Sequence, residues 1–295
     1  MRIGAILPLS EGDGPGRMPT WQEVRSFALH AEAAGLDSVW VFDHFFYQPK
    51  EGPAEGIHEA WTVLAALAEA TERVELGQLV MCGSFRNPAL LAKMAATADA
   101  VSGGRLILGL GAGWHDPEYH AFGYPTDHRG SRFEEALQVI VPMLRGEPVT
   151  LEGTYHVARD ARLLPAPDRR IPVLVAGNGP RMLRLTAQHA DAWNTAWFGV
   201  PDERLRQRTD DLSRALEAEG RDPATLRMTI GLEIVDPSAE KPDAGSAHAF
   251  SGSIDELATA LDAFDALGFA DAIAVLQPMT EASVDRLAEA QRLRG

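Results

Sequence analysis

An aspartate and a histidine stand side by side at positions 43 and 44, where the apolar run Ser38-Val39-Trp40-Val41-Phe42 stops abruptly. Imidazole exchanges a proton more readily near neutral pH than any other side chain, so His44 is a candidate general acid or base. Asp43 beside it could hold a ligand. The plainer reading is that Asp43 caps the following loop and His44 hydrogen-bonds within it. Pattern alone leaves both open.

A second constellation is Ala176-Gly177-Asn178-Gly179-Pro180-Arg181. An apolar strand enters two glycines, and a proline then opens a helix. Free backbone N–H groups and the positive end of a helix dipole meet there, which makes an anion site. Arg181 in the first helical turn adds a charge that the dipole disfavours, so phosphate is the expected ligand. Ser251-Gly252-Ser253 is weaker, because helix capping accounts for it.

Three further segments carry polar or reactive groups. Gly109, Gly111 and Gly113 suggest a dinucleotide fingerprint, but the third glycine has the wrong offset and no helix follows at once. Such glycines are read instead as clearing space for a flat ligand. His115, Asp116, Glu118 and His120 have the composition of a metal site. Pro117 intervenes and a loop fixes no ligand geometry, so a polar substrate-side loop is preferred and no metal is assigned. Cys82 reads as a packing residue, and Arg86 as a loop arginine, either solvated or touching a cofactor anion. Trp61, Trp114, Trp193 and Trp197 each suit a core, while together they could wall an aromatic pocket.

Alternating elements must position these groups. Strands are expected at 3–9, 38–42, 74–81, 105–111, 172–176, 192–197, 226–235 and 272–276. Helices are expected at 21–34, 58–71, 88–101, 132–145, 180–189, 202–219, 254–267 and 281–293. Each strand is followed by a helix, and the apolar strands suit burial on both faces. This predicts an α/β chain folded as a (β/α)8 TIM barrel, one domain over residues 1–295, with insertions after strands 4 and 7. Residues 113–130 read as a long loop, 145–170 as a small hairpin, and 236–249 as a mobile loop. In barrels of this kind ligands gather at the carboxyl ends of the strands, which is where Asp43 and His44 fall.

Composition narrows the partners. The chain has 295 residues, 45% of them apolar, with 27 Lys and Arg against 42 Asp and Glu, a net charge of -15. That argues against nucleic acid or an anionic membrane as partner but does not exclude an anionic cofactor. A single cysteine permits no internal disulfide. No spanning segment or signal peptide is apparent, so a soluble cytoplasmic protein is expected.

Taken in order, Gly35 to His44, Arg86 to Lys93, Gly103 to Trp114 and Ala176 to Pro180 resemble the luciferase-like monooxygenase superfamily. The closer resemblance is to its branch of deazaflavin-dependent oxidoreductases, which use coenzyme F-420, and it covers nearly the whole chain. It implies a homodimer of barrels that transfers a hydride between F-420 and a small organic substrate. By that likeness Asp43 would touch the edge of the deazaflavin ring and His44 would be catalytic over its reactive face. Leu79, Val80, Met81 and Cys82 would back the ring, with a non-proline cis peptide near Leu79-Val80. Gly177, Asn178, Gly179, Pro180 and Arg181 would hold the phosphate of the tail. Trp61, Trp114, His115 and Trp197 would line the substrate pocket. One departure is notable: deazaflavin sugar-phosphate dehydrogenases carry a glutamate after the fourth-strand glycines, where this chain has Trp114. The alternatives are an FMN-dependent luciferase-like monooxygenase and a flavin-binding or deazaflavin-binding protein without turnover.

Overall fold

The computed structural model describes residues 1–13, 16–239 and 246–294. Eight strands run parallel: β1 Arg2–Ile6, β2 Ser38–Val41, β3 Glu75–Gln78, β4 Leu106–Gly111, β5 Val173–Ala176, β6 Ala192–Phe198, β7 Arg227–Val235 and β8 Phe269–Gln277. Each pairs with the next in sequence, and β1 pairs with β8, so the sheet closes on itself. A closed parallel sheet has no free edge and must be covered by helices.

The cover consists of α1 Trp21–Ala34, α2 Ala60–Ala70, α3 Pro88–Val101, α4 Asp116–Phe122, α5 Arg129–Leu144, α6 Pro180–His189, α7 Glu203–Ala218, α8 Ile254–Ala266 and α9 Glu281–Leu293. Helix starts carry the chemistry read from the sequence. Thr20 with Glu23 and Ser253 with Glu256 form complete capping boxes, and Asn87 caps α3 ahead of Pro88. α1, α3, α6 and α9 begin and end where the sequence predicts; side chains of Thr20, Asn87 and Thr280 cap the starts of α1, α3 and α9, proline opens α3 and α6, and the left-handed Gly35 stops α1. β1 stops short of the predicted Leu9: the Leu7 N–H still donates to the Trp40 carbonyl, and Pro8 then has no N–H with which to continue the ladder.

Two apolar layers result. Between strands and helices lies the main core, including Val24, Phe27, Leu64, Leu91, Leu137 and Leu261. Inside the cylinder, Ile6, Trp40, Ile107, Leu174, Ala192 and Ile273 pack together. Trp40 fits only because β3 carries Gly77, where a Cβ would stand 2.2 Å from its ring. Truncation of a buried aromatic of this size costs about 3–5 kcal/mol, so this one side chain is a large share of the inner layer.

The insertions differ from expectation in detail. After β4 the chain forms α4 and α5 and then the antiparallel hairpin Val149–Glu152 with Val157–Ala161. α4 occupies what reads in sequence as a loop. A second small hairpin, Phe46–Tyr47 with Glu55–Gly56, follows β2. The predicted mobile loop after β7 falls partly outside the described residues, at 240–245. Among the described residues no helix is long and apolar enough to cross a membrane.

Candidate active site

The carboxyl ends of the strands open into a cavity of about 660 Å³, within the usual range of roughly 300–1,000 Å³ for small-molecule sites. Its floor is Ile6, Leu79, Val80, Ala176 and Val275, and its walls carry Asp43, His44, Cys82, Trp114, His115, Gly177, Asn178 and Trp197. The Leu79-Val80 peptide bond is cis, at the position implied by the resemblance, and Ala196-Trp197 is cis as well. Gly109 makes room for this turn of β3, since a Cβ there would lie 1.8 Å from the Gln78 carbonyl oxygen. The glycine therefore admits the neighbouring backbone, which corrects its reading as space for a ligand.

β2 ends in the two groups that the sequence singles out, and each is gripped by a partner from another loop. Asp43 has a fully buried side chain. Its Oδ2 accepts from Arg86 Nη1 at 2.6 Å and from the Cys82 N–H at 2.8 Å, and its Oδ1 accepts from Arg86 Nη2 at 3.0 Å. Arg86 also donates to Glu59 at 2.6 Å and is only 10% exposed. The loop arginine is thus an internal brace rather than a solvated or anion-seeking cation. Burial pushes the Asp43 carboxyl above its ordinary value, against the pull of Arg86.

His44 is held by Glu118, which sequence reading treats only as part of a metal-like cluster. His44 Nδ1 lies 2.7 Å from Glu118 Oε2, and the Glu118 side chain is 1% exposed. The other oxygen of Glu118 accepts from the Phe45 N–H. A carboxylate on Nδ1 places the proton there and leaves Nε2 as the ring nitrogen for a ligand. The ring edge packs on Trp114 at 5.5 Å and on His115 at 5.8 Å between centroids.

The cluster of His115, Asp116, Glu118 and His120 does not converge. His115 accepts from the Gln48 N–H at 3.0 Å, Asp116 pairs with Arg129, and Glu118 holds His44. Among the described residues no group of His, Cys, Asp or Glu could hold a metal ion. Pro117 and the two acids are in fact a helix start, closed by the left-handed Gly123. That pattern was the available signal for α4, and hence for Glu118.

Other residues fall in or out of the cavity for plain reasons. Cys82 lines it with its thiol pushed up to about 11 by burial, which disfavours the thiolate. Its sulfur sits 3.1 Å from the Tyr119 hydroxyl. Met81 is buried and does not reach the cavity: Met81 and Cys82 form a short strand paired with β4, and successive strand residues point to opposite faces. Trp61 is a correction: it lies on α2 outside the barrel and lines a separate groove with Met94 and Val101 of α3. Gly177 and Asn178 line the cavity, while Gly179, Pro180 and Arg181 do not line it and stand at the start of α6. Arg181 is not free for an anion as the sequence suggests, since it and Arg184 both donate to Glu134.

Comparison with known proteins follows the same lines. The family model described as luciferase-like monooxygenase matches residues 1–285. An "F420-dependent glucose-6-phosphate dehydrogenase" of Kineococcus radiotolerans is 33% identical over 72% of this chain and 63% of its own length. One of the same name from Amycolatopsis mediterranei is 34% identical over 58% of this chain and 52% of its own. The chain therefore matches between about half and two thirds of the length of these relatives. Among solved structures, an "F420-dependent secondary alcohol dehydrogenase" superposes with a TM-score of 0.81 at 21% identity, covering 98% of this chain and 97% of that one. A coenzyme F420 dependent tetrahydromethanopterin reductase from Methanopyrus kandleri gives 0.77 at 17% identity, with 97% of each chain covered. These two share the fold. With a family model spanning nearly all of the sequence, the chain belongs to the luciferase-like monooxygenase family.

Proposed function

We propose that the protein is a coenzyme F-420-dependent oxidoreductase that moves a hydride between the deazaflavin and a small organic substrate, with His44 carrying the accompanying proton. The observation that carries this reading is the His44–Glu118 pair at the edge of a cavity with an apolar floor. The names of the curated relatives support it.

The residues fit a flat ring with an anionic tail. Leu79, Val80, Ala176 and Val275 offer apolar contact for the ring, and His44 stands on the cavity wall. Gly177 and Asn178 lead to α6, whose cap residue Gly179 gives no side-chain hydrogen bond, so the first N–H groups of the helix are available to a phosphate. When bound, the deazaflavin supplies a ring carbon that gives or takes a hydride and reacts poorly with oxygen.

The chain's own contribution is position and proton control. The Glu118 carboxylate fixes the tautomer of His44, so that neutral His44 presents a lone pair at Nε2 and can take the hydroxyl proton of an alcohol as its carbon is oxidised. In the reverse direction protonated Nε2 returns that proton to a carbonyl oxygen. Asp43 and Arg86 lock the end of β2, and through it the backbone that carries His44. The apolar floor keeps water from the reacting carbon.

Titrating the pure protein with F-420 and with FMN, read by quenching of cofactor fluorescence, tests the assignment. Saturable deazaflavin binding is expected. Tight FMN binding with no deazaflavin binding would overturn it in favour of a flavin monooxygenase. The same reading makes the chain a homodimer, supported by the exposed apolar face of α3, where Leu90 and Val101 are each 54% exposed. Light scattering that returns the monomer mass would exclude the dimer.

A further inference from the structure

We infer that the cavity selects an uncharged, largely apolar substrate with a single oxygen at the reacting carbon and disfavours phosphorylated substrates. This rests on the hydride-transfer reading above and names the substrate class for the same site.

Charge is the first argument. Among the described residues no Lys or Arg lines the cavity, whereas Asp13, Asp43 and Glu118 do. Arg86, behind Asp43, is already bound by Asp43 and Glu59. Arg181 and Arg184 on α6 share Glu134, Arg129 pairs with Asp116 and the Trp114 carbonyl, and Arg204 and Arg208 donate to the Trp197 and Ala196 carbonyls. A phosphate dianion placed here would lose its water, face carboxylates and meet no cation on the lining. Burying a charge without a partner is strongly unfavourable.

The walls give the second argument. Phe42, Met182 and Met279 join the apolar floor, and Trp114 and Trp197 remain 63% and 36% exposed at the mouth. Large apolar side chains left in water around a cavity mark a surface that a ligand covers. With Nδ1 held by Glu118, His44 Nε2 is left without a protein partner on the cavity wall; His115 beside it accepts from the Gln48 N–H through Nε2. The His44 nitrogen matches one hydroxyl or carbonyl oxygen at the reacting carbon, as in an uncharged alcohol or ketone. A polyhydroxylated sugar would leave most of its hydroxyls unpaired against this wall, and discrimination follows from those unmade bonds.

The test compares 2-acetylnaphthalene with 6-acetylnaphthalene-2-sulfonate, the same ketone without and with one negative charge, and with glucose 6-phosphate. Binding is read by quenching of tryptophan fluorescence in the protein with and without F-420. The ketone is expected to bind at least about tenfold more tightly than either anion. In Trp114→Arg, a substitution at an exposed position, the sulfonate should gain about tenfold and the ketone should weaken. Equal or tighter binding of either anion by the unaltered protein, or no saturable ketone binding, overturns the inference. Loss of the cofactor reading is separable: if F-420 fails to bind while the ketone preference persists, the redox assignment falls and the selectivity stands.

Discussion

At the floor of the barrel and at its mouth the chain buries guanidinium groups against oxygen, but the two ends leave different things unspent. Arg105, just before β4, uses all its donors: Nε on the Ser102 carbonyl, Nη1 on Thr71 Oγ1 and the Val74 carbonyl, Nη2 on the Ala68 and Thr71 carbonyls. Arg169 and Asp99 close the same end, as do Arg227 and Asp271. Every polar atom of Arg105 is consumed and no chemistry remains. At the mouth, Arg86 and Asp43 likewise satisfy each other, yet Glu118 satisfies only one nitrogen of His44. The lesson is that a buried polar network becomes a site where it is left one bond short, facing a cavity.

Substitution at the two ends should separate these roles. His44→Ala is expected to lower turnover by roughly 10²–10⁴-fold while deazaflavin affinity and Tm change little. Glu118→Gln, which keeps an acceptor for the backbone but weakens the hold on Nδ1, should lose about 10–100-fold and move the pH profile of turnover. Steady-state rates beside cofactor titration check both, and a parallel loss of cofactor binding would mean that the pair is only structural.

Arg105→Ala should do the opposite. It strands several buried carbonyls at the floor and is expected to cost about 3 kcal/mol of stability, with turnover per folded molecule unchanged. Urea unfolding combined with active-site titration reads the two quantities apart. A catalytic defect without destabilisation would break the comparison.

The smallest effect concerns pH. Burial holds His115 at the mouth and His189 toward the floor below the ordinary histidine pKa, with Arg145 adding to the effect at His189. For such a group the unfolded chain binds the proton first as pH falls below about 6.5, so stability decreases with falling pH through that window. Above it both states are neutral and the contribution is flat. His189→Gln should reduce the slope of Tm against pH between 7 and 5 without altering cofactor affinity, as differential scanning calorimetry would show. An unchanged slope would sink the assignment.

Reading the chain as a sequence goes furthest where the signal is local. Thr20 with Glu23, Asn87 with Pro88, and Ser253 with Glu256 fix helix starts through neighbours three residues away or fewer. α4 is legible in the same way, from Asp116-Pro117-Glu118 and Gly123, although the polar composition of the segment reads as a loop. Arg86 and Trp61 were not legible. An arginine in a loop and a tryptophan on an amphipathic helix carry no local mark of whether they face a cavity, a neighbouring helix or water.

By itself the sequence determined the alternation of buried strands and capped helices, and with it the barrel and the end at which Asp43 and His44 must lie. These follow from periodicity and capping, which act over a few residues. Only the tertiary structure decided which carboxylate meets His44, 74 positions away in sequence, and that Arg181 is spent on Glu134. Hydrogen bonds need atoms within about 3 Å in a fixed direction, and the closing of the cylinder alone sets which distant side chains come that near.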